Sequence, residues 1–206
     1  MAGEVELSKG EQTRRTIMDA AKNLFLSQGY TATSMRQIAR AVGITPAAIY
    51  NHFSGKEEIF TTLLQEAAPF EQTVALFEEI EADTLEDLLH QMIRGLVDSV
   101  LSREDYMQLG LIDAQERDGA TLITFLPQLY PRFMGFYQRL VALDADRGRL
   151  RDIPPPMFMR TLVSLMFGYL ITERVAKPAE TLNLPTTDWL QGLVDIFLHG
   201  VLKPEV

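Results

Sequence analysis

The chain of 206 residues is 47% hydrophobic and 23% charged, ample core material for one ordinary soluble domain or a small domain followed by a larger one. It contains no cysteine, which excludes a disulfide framework and thiol catalysis and fits a reducing cytoplasm. The net charge of −9 argues at first against nucleic acid, yet residues 9–56 carry seven basic and two acidic side chains, a local +5 that leaves −14 elsewhere.

Residues 1–10 hold two glutamates and no apolar run, so they are expected to form a disordered tail and not a secretory leader. Ile17, Ala20, Ala21, Leu24 and Phe25 then recur at helical spacing, predicting an amphipathic helix over 11–28 that Gly29 ends. Ser34 caps a second helix, in which Ile38 and Val42 share a face with the small Ala39 beside them. Gly43 is the stop, and apolar Ile44 plugs the angle of the turn. Thr45-Pro46 reads as a cap followed by proline at the first helical position. A helix over 46–53 turns Ile49 and Phe53 inward and leaves Thr45, Ala47, Ala48, Tyr50, Asn51 and His52 outward. This is a helix–turn–helix, and its second helix is of the kind that enters a DNA major groove.

Ser54 is expected to cap a fourth helix, with Glu57 completing a capping box. Lys56 falls in its first turn, where the helix dipole disfavours a cation, so an outside partner such as a DNA phosphate is expected. That helix continues through Ile59, Phe60, Leu63 and Leu64 and kinks or stops near Pro69.

Residues 65–206 read as helix throughout, without strand-like alternation, internal repeat or low-complexity tract. Thr84 caps a helix over 85–102, a second spans 103–117, and Asp118-Gly119 breaks it. An aromatic-rich segment ends near Leu143, and a charged loop over 144–152 follows. Pro154, Pro155 and Pro156 start a long helix over 157–175. After a connection at 177–185, Thr187 or Asp188 caps a last helix over 189–202. The longest apolar stretch, Leu162 to Ile171, is interrupted and too short to span a bilayer, so a soluble protein without membrane attachment is expected. The last two helices are apolar on more than one side, through Leu162, Leu165, Met166, Ile171 and Val175, then Leu190, Leu193, Val194, Phe197 and Val201. Such helices are buried on two fronts.

Thr33-Ser34-Met35-Arg36-Gln37-Ile38-Ala39, Gly43-Ile44-Thr45, Ile49-Tyr50-Asn51-His52-Phe53 and Lys56-Glu57-Glu58 resemble the amino-terminal DNA-binding domain of TetR-family transcriptional regulators. The resemblance runs from about Thr13 to Leu64 with the family's spacing and no gap. It implies an all-α fold: a three-helix helix–turn–helix domain over 11–64, then a larger helical domain over 65–206 for effector binding and dimerisation. It further implies a cytoplasmic homodimer joined through its last two helices, binding a palindromic double-stranded operator as a repressor and released by a small apolar effector.

The DNA-contact set on this reading is Ser34, Arg36, Thr45, Pro46, Ala47, Tyr50, Asn51, His52 and Lys56. Arg36 suits a bidentate contact with a guanine edge, the alternatives being phosphate or solvent. Short side chains from Thr45 to Ala48 let the helix sink into the groove and can meet a thymine methyl. Tyr50, His52 and Lys56 correspond to phosphate contacts, and Asn51, which departs from the commonest family choices, offers a donor and an acceptor. The family's pocket implies Met92, Met107, Leu111, Phe125, Tyr130, Phe133, Phe136, Tyr137 and Phe167 as effector contacts, although each also reads as ordinary core. His90 and His199 have no neighbours at ligand spacing, so neither metal nor cofactor is expected. Without cysteine, triad or phosphate loop an enzyme is not expected. Asp113 and Glu116 could pair but are expected on a solvated face, as is the acidic run from Glu78 to Asp87. The rival reading is an architectural or interaction protein on the same fold that binds DNA without an effector.

Overall fold

The computed structural model describes residues 8–145, 148–176 and 186–202. Over these the fold is all-α: α1 Lys9–Gln28, α2 Met35–Val42, α3 Pro46–Ile49, α4 Lys56–Ala67, α5 Phe70–Glu79, α6 Leu85–Leu101, α7 Glu104–Glu116, a 3-10 turn Leu122–Phe125, α8 Leu126–Leu143, α9 Pro155–Ala176 and α10 Thr186–Val201. The β contact among them is an isolated antiparallel bridge between Leu150 and Leu202. No helix among the described residues is long and apolar enough to cross a membrane.

Several helix ends differ from expectation for local reasons. α1 starts at Lys9 because Ser8 and Glu11 form a reciprocal capping box: the Glu11 amide donates to Ser8 Oγ at 3.3 Å and the Ser8 amide to the Glu11 carboxylate at 2.8 Å. Of the expected tail, residues 1–7 lie outside the described residues. α3 ends at Ile49, not Phe53, since the amides of Asn51 and His52 bond back only three residues, to Ala48 and Ile49 at 3.2 and 3.0 Å. The capping box of Ser54 with Glu57 does not form. The amide and hydroxyl of Ser54 both donate to Glu58, at 2.8 and 2.9 Å, and Gly55 takes the N-cap position. α5 has no counterpart in the sequence reading, and it begins directly after Pro69 and buries Phe77. α10 starts at Thr186, so the expected caps Thr187 and Asp188 fall inside the helix; their side chains, those of Val175 and Leu190, and the connection at 177–185 lie outside the described residues.

Two compact units emerge, and they are not divided simply by chain position. Unit 1 joins the chain up to Ala68 with Arg103–Phe125; unit 2 joins Pro69–Ser102 with the chain from Leu126 on. The segment 103–125, read from sequence within the second region, thus clusters with the first. In unit 1, Ile17, Phe25, Ile38, Ile49, Phe60 and Leu64 form a core with no exposed surface, and Leu109 of α7 is buried in the same cluster. In unit 2 an aromatic series crosses the helices: Phe77 to Phe133 at 6.0 Å, Phe133 to Phe158 at 6.2 Å and Phe158 to Phe197 at 5.3 Å between ring centres. Leu88, Leu89 and Met92 of α6 are buried in unit 2 as well. Arg139 of α8 caps α5, donating to the carbonyls of Phe77 and Glu78 at 3.0 Å each and to that of Ile80.

Candidate nucleic-acid interface

The helix–turn–helix is set by backbone stops that are readable residue by residue. Ser34 Oγ accepts the Gln37 amide at 3.3 Å while Gln37 Oε1 accepts the Ser34 amide at 2.8 Å, a reciprocal box at the start of α2. Gly43 ends α2 in the left-handed conformation, φ 79°. Its amide donates to the Arg40 carbonyl at 3.2 Å and that of Ile44 to Ala39 at 3.0 Å, the paired bonds of a Schellman stop. Ile44 packs on the unit 1 core, as its place in the turn predicts. Thr45 Oγ1 then accepts the Ala48 amide at 3.1 Å, and Pro46 opens α3.

The two ends of α3 are therefore fixed by different means. The far end is held by Arg14 of α1, whose Nη1 donates to the His52 carbonyl at 2.6 Å while its guanidinium lies 3.8 Å above the Phe53 ring. Arg14 also stands 3.5 Å from Glu58. The Ser54 amide, then the Ser54 hydroxyl and Arg14, hold the Glu58 carboxyl below the ordinary carboxylate range.

With that frame in place, Arg36, Thr45, Pro46, Ala47, Tyr50 and Asn51 are exposed, Tyr50 by 56%, and Ala48 and His52 are half-buried. The side chains of Arg36, Tyr50 and Asn51 have no partner among the described residues, so their polar atoms are available to a ligand. Arg40, one turn beyond Arg36, shares its face of α2 and is likewise exposed. Ser34 is exposed too, but its hydroxyl is engaged with Gln37 at 2.7 Å. Small side chains at the start of α3 and donors on either side make a surface suited to a groove lined by phosphates.

Lys56 has its outside partner within the chain. Nζ donates to the carbonyls of Tyr30 at 2.9 Å, Thr33 at 3.0 Å and Thr31 at 3.4 Å, and lies 4.2 Å from the Tyr30 ring centre. To reach a phosphate it would exchange some of these bonds. Of the two carboxylates expected on a solvated face, Glu116 is exposed and Asp113 is not. Asp113 is fully buried and accepts Arg117 Nη1 at 2.9 Å and the amides of Thr121 and Leu122 at 3.0 Å each. Glu116 accepts the Thr31 amide at 2.6 Å. The acidic run is also partly engaged: Glu78 pairs with Arg132, Glu86 with Arg149, and Asp87 with the cap residue Thr84.

The nine effector candidates separate. Met107, Leu111 and Phe125 fall in unit 1 and the other six in unit 2. Met92 and Phe133 are fully buried and Tyr137, half-buried, donates its hydroxyl to the Ile153 carbonyl at 2.8 Å. Tyr130 and Phe167 are exposed, by 41% and 38%. Phe136 alone of the nine lines a cleft of about 690 Å³ in unit 2, with Phe70, Phe77, Glu78, Gln128, Pro131, Arg132, Gly135 and Arg139. No group of three His, Asp or Glu among the described residues could hold a metal ion; His90 stands 4.0 Å from Asp195. The sequence does not reveal the bonds of Arg14 to His52, Glu116 to Thr31 and Arg117 to Glu57, which join residues 38, 85 and 60 positions apart.

The family model described as "Bacterial regulatory proteins, tetR family" matches residues 17–63. The chain is 42% identical over 169 residues to the HTH-type transcriptional regulator SrpR of Pseudomonas putida, covering 79% of this chain and 74% of that one. It is 24% identical to the uncharacterized HTH-type transcriptional regulator YvkB of Bacillus subtilis, covering 92% of this chain and 97% of that one. Among solved structures it is similar to NalD, described as the secondary repressor of the MexAB-OprM multidrug efflux pump in Pseudomonas aeruginosa. That likeness has 27% identity and a TM-score of 0.65, covering 96% of this chain and 100% of NalD.

Proposed function

The chain belongs to the TetR family of bacterial transcriptional regulators, DNA-binding proteins that are not enzymes, and from that premise we propose that it is a cytoplasmic, homodimeric repressor of a palindromic operator, released by a small effector. The observation that carries the reading is the outward face of the helix–turn–helix: Arg36, Tyr50 and Asn51 unpartnered, with Thr45, Pro46 and Ala47 exposed at the head of α3. Arg36 reads a base edge, Tyr50 and His52 position phosphates, and Ser34 and Lys56 stand at the margin of the contact.

Two further observations support the finer parts. Val163, Phe167 and Ile171 recur every four residues along α9 and are 43%, 38% and 38% exposed, and Ile196 of α10 is 70% exposed, an apolar face that suits a second copy of the chain. The open cleft of about 690 Å³ between α5 and α8 is of ligand size: Phe70, Phe77, Pro131 and Phe136 give it apolar surface for a small and largely apolar effector, and Glu78, Gln128, Arg132 and Arg139 add polar groups. The name of NalD as a repressor favours repression.

The test is selection of duplexes from a random library by the purified protein. The expected product is a pseudo-palindrome with half-sites about one helical turn, roughly 34–36 Å, apart or a multiple of it. Arg36→Ala should then relax preference at one base pair per half-site, at a cost of about 1–3 kcal/mol. Equal weakening on all sequences would assign Arg36 to phosphate. Lys56→Ala should lower the salt slope by about one if its ammonium reaches a phosphate, and leave the slope unchanged if it only organises the loop.

A further inference from the structure

The loop between α1 and α2, residues 29–34, is gripped from two sides. From α4, Lys56 Nζ holds the carbonyls of Tyr30, Thr31 and Thr33. From the last turn of α7, the Glu116 carboxylate accepts the Thr31 amide at 2.6 Å, and that amide has no other acceptor among the described residues. Gly29 makes the approach possible. Its φ is +85°, and a Cβ there would stand 2.5 Å from a Glu116 carboxylate oxygen. The Thr31 amide, foremost, and the nearby Lys56 charge hold the Glu116 carboxyl below the ordinary carboxylate range.

The turn that carries Glu116 is itself anchored. Arg117, with a side chain only 6% exposed, bonds Asp113 at 2.9 Å, Thr121 Oγ1 at 2.6 Å and Glu57 of α4 at 3.3 Å. Its guanidinium carbon lies 5.0 Å from the Tyr30 ring centre and 4.8 Å from that of Phe60. The end of α7, the loop and the start of α4 therefore form one cluster of alternating charge within unit 1. In the chain, the segment bearing it is flanked on both sides by segments of unit 2.

We infer that Glu116 is a positioning residue for DNA recognition: the last turn of α7 latches the α1–α2 loop and so fixes where α2 begins. The inference rests on the proposed reading of the protein as a sequence-specific DNA binder. The loop has no regular secondary structure to hold its shape. A residue released from a single backbone conformation regains entropy that must be lost again on binding. Ser34 closes the loop and caps α2, and Arg36 follows two residues later, so play at Thr31 becomes play in the base-reading side chain.

The experiment uses the full chain with Glu116→Ala and Glu116→Gln, the second keeping an oxygen acceptor without the charge. Hydrogen exchange at the Thr31 amide is measured without DNA, and affinity is measured for the duplex selected by the wild-type protein and for a scrambled duplex. Glu116→Ala should speed Thr31 exchange about tenfold with the amides of Ile38 and Phe60 unchanged, and weaken the selected duplex about tenfold while sparing the scrambled one. Glu116→Gln should restore most of both effects, and neither variant should change the salt slope. Unchanged exchange, unchanged selected-duplex affinity, or no rescue by Gln would overturn the latch. Tighter binding of every duplex by both variants would overturn it too, assigning Glu116 to simple repulsion of DNA. A wild-type protein that selects no duplex would refute the DNA-binding reading instead, and the exchange result would still judge the latch.

Discussion

Among the described residues, unit 1 exposes two large apolar side chains, Tyr50 and Ile123, and unit 2 exposes eight, from Leu126 on α8 to Ile196 on α10. Their supports differ in the same direction. Unit 1 ties its irregular segments with charged side chains on backbone groups: Lys56 on the loop carbonyls, Glu116 on Thr31, Asp113 on Thr121 and Leu122, Arg14 on His52. Unit 2 uses the same device at Arg139 and at Asp144, which accepts the amides of Arg149 and Leu150, but its continuous feature is the aromatic series from Phe77 to Phe197. Hydrogen bonds fix direction, whereas apolar burial rewards proximity without direction. A unit that must present donors to base edges gains from the first. A unit that binds another copy and an apolar ligand, as proposed, gains from the second.

The contrast can be broken most sharply at Asp113. Asp113→Ala leaves Arg117 buried without its carboxylate and strands two amides, a loss of about 3–5 kcal/mol. Urea unfolding followed by hydrogen exchange in α4 and α7 should show the loss. The fluorescence of Trp189, the only tryptophan and part of α10, should keep its own transition. Equal shifts in both signals would mean that the units do not stand apart energetically. A smaller effect is expected from Phe167→Glu on the exposed face of α9, which should weaken self-association by at least about 1–2 kcal/mol in sedimentation. The variant's monomer should stay within about 0.5 kcal/mol of the wild type, and a larger loss would place Phe167 in its own chain's packing.

Acid gives the mildest test. Glu11, Glu58 and Glu116, all in unit 1, are held below the ordinary range chiefly by the Ser8 side chain, the Ser54 amide and the Thr31 amide. Because the folded values lie below the unfolded one, the stability they contribute is complete above about pH 4.3 and is lost as pH falls through the folded values. Exchange at the Ser8, Ser54 and Thr31 amides, which donate to these carboxylates, should therefore stay protected to about pH 4 and loosen below it. Loosening already at pH 5 would contradict the depressed values.

The all-α fold and the helix–turn–helix are legible in the sequence because each boundary is written in a residue type: Ser34 and Thr45 as caps, Gly43 as stop, Pro46 at a first position. What is not legible is where a long side chain ends. Lys56 does carry the local signal of a cation in the wrong turn, but the carbonyls that satisfy it belong to residues about two dozen positions earlier. Asp113 looks like a surface carboxylate by periodicity and is buried, whereas Glu116 is exposed as expected; only the fold shows the backbone amides that each accepts. α5 escapes because its acidic residues mask the apolar face around Phe77. Composition likewise cannot tell Phe133, fully buried, from Tyr130, 41% exposed, since both are aromatic residues on one helix.

Unit 1 draws on two separate stretches of chain, and this has a consequence for synthesis. Leu109 is buried in the same core as Phe60 and Leu64, and Arg117 lies over the rings of Tyr30 and Phe60. The first stretch leaves the ribosome at Ala68, but the second is not complete until Phe125. At about 5–20 residues per second, the nearly sixty residues between them take roughly 3–12 s to translate. For that interval the nascent helix–turn–helix carries an apolar patch where Leu109 will sit, and the loop that precedes α2 waits for Glu116. Any engagement of DNA or chaperone by the growing chain before then meets an unfinished recognition surface.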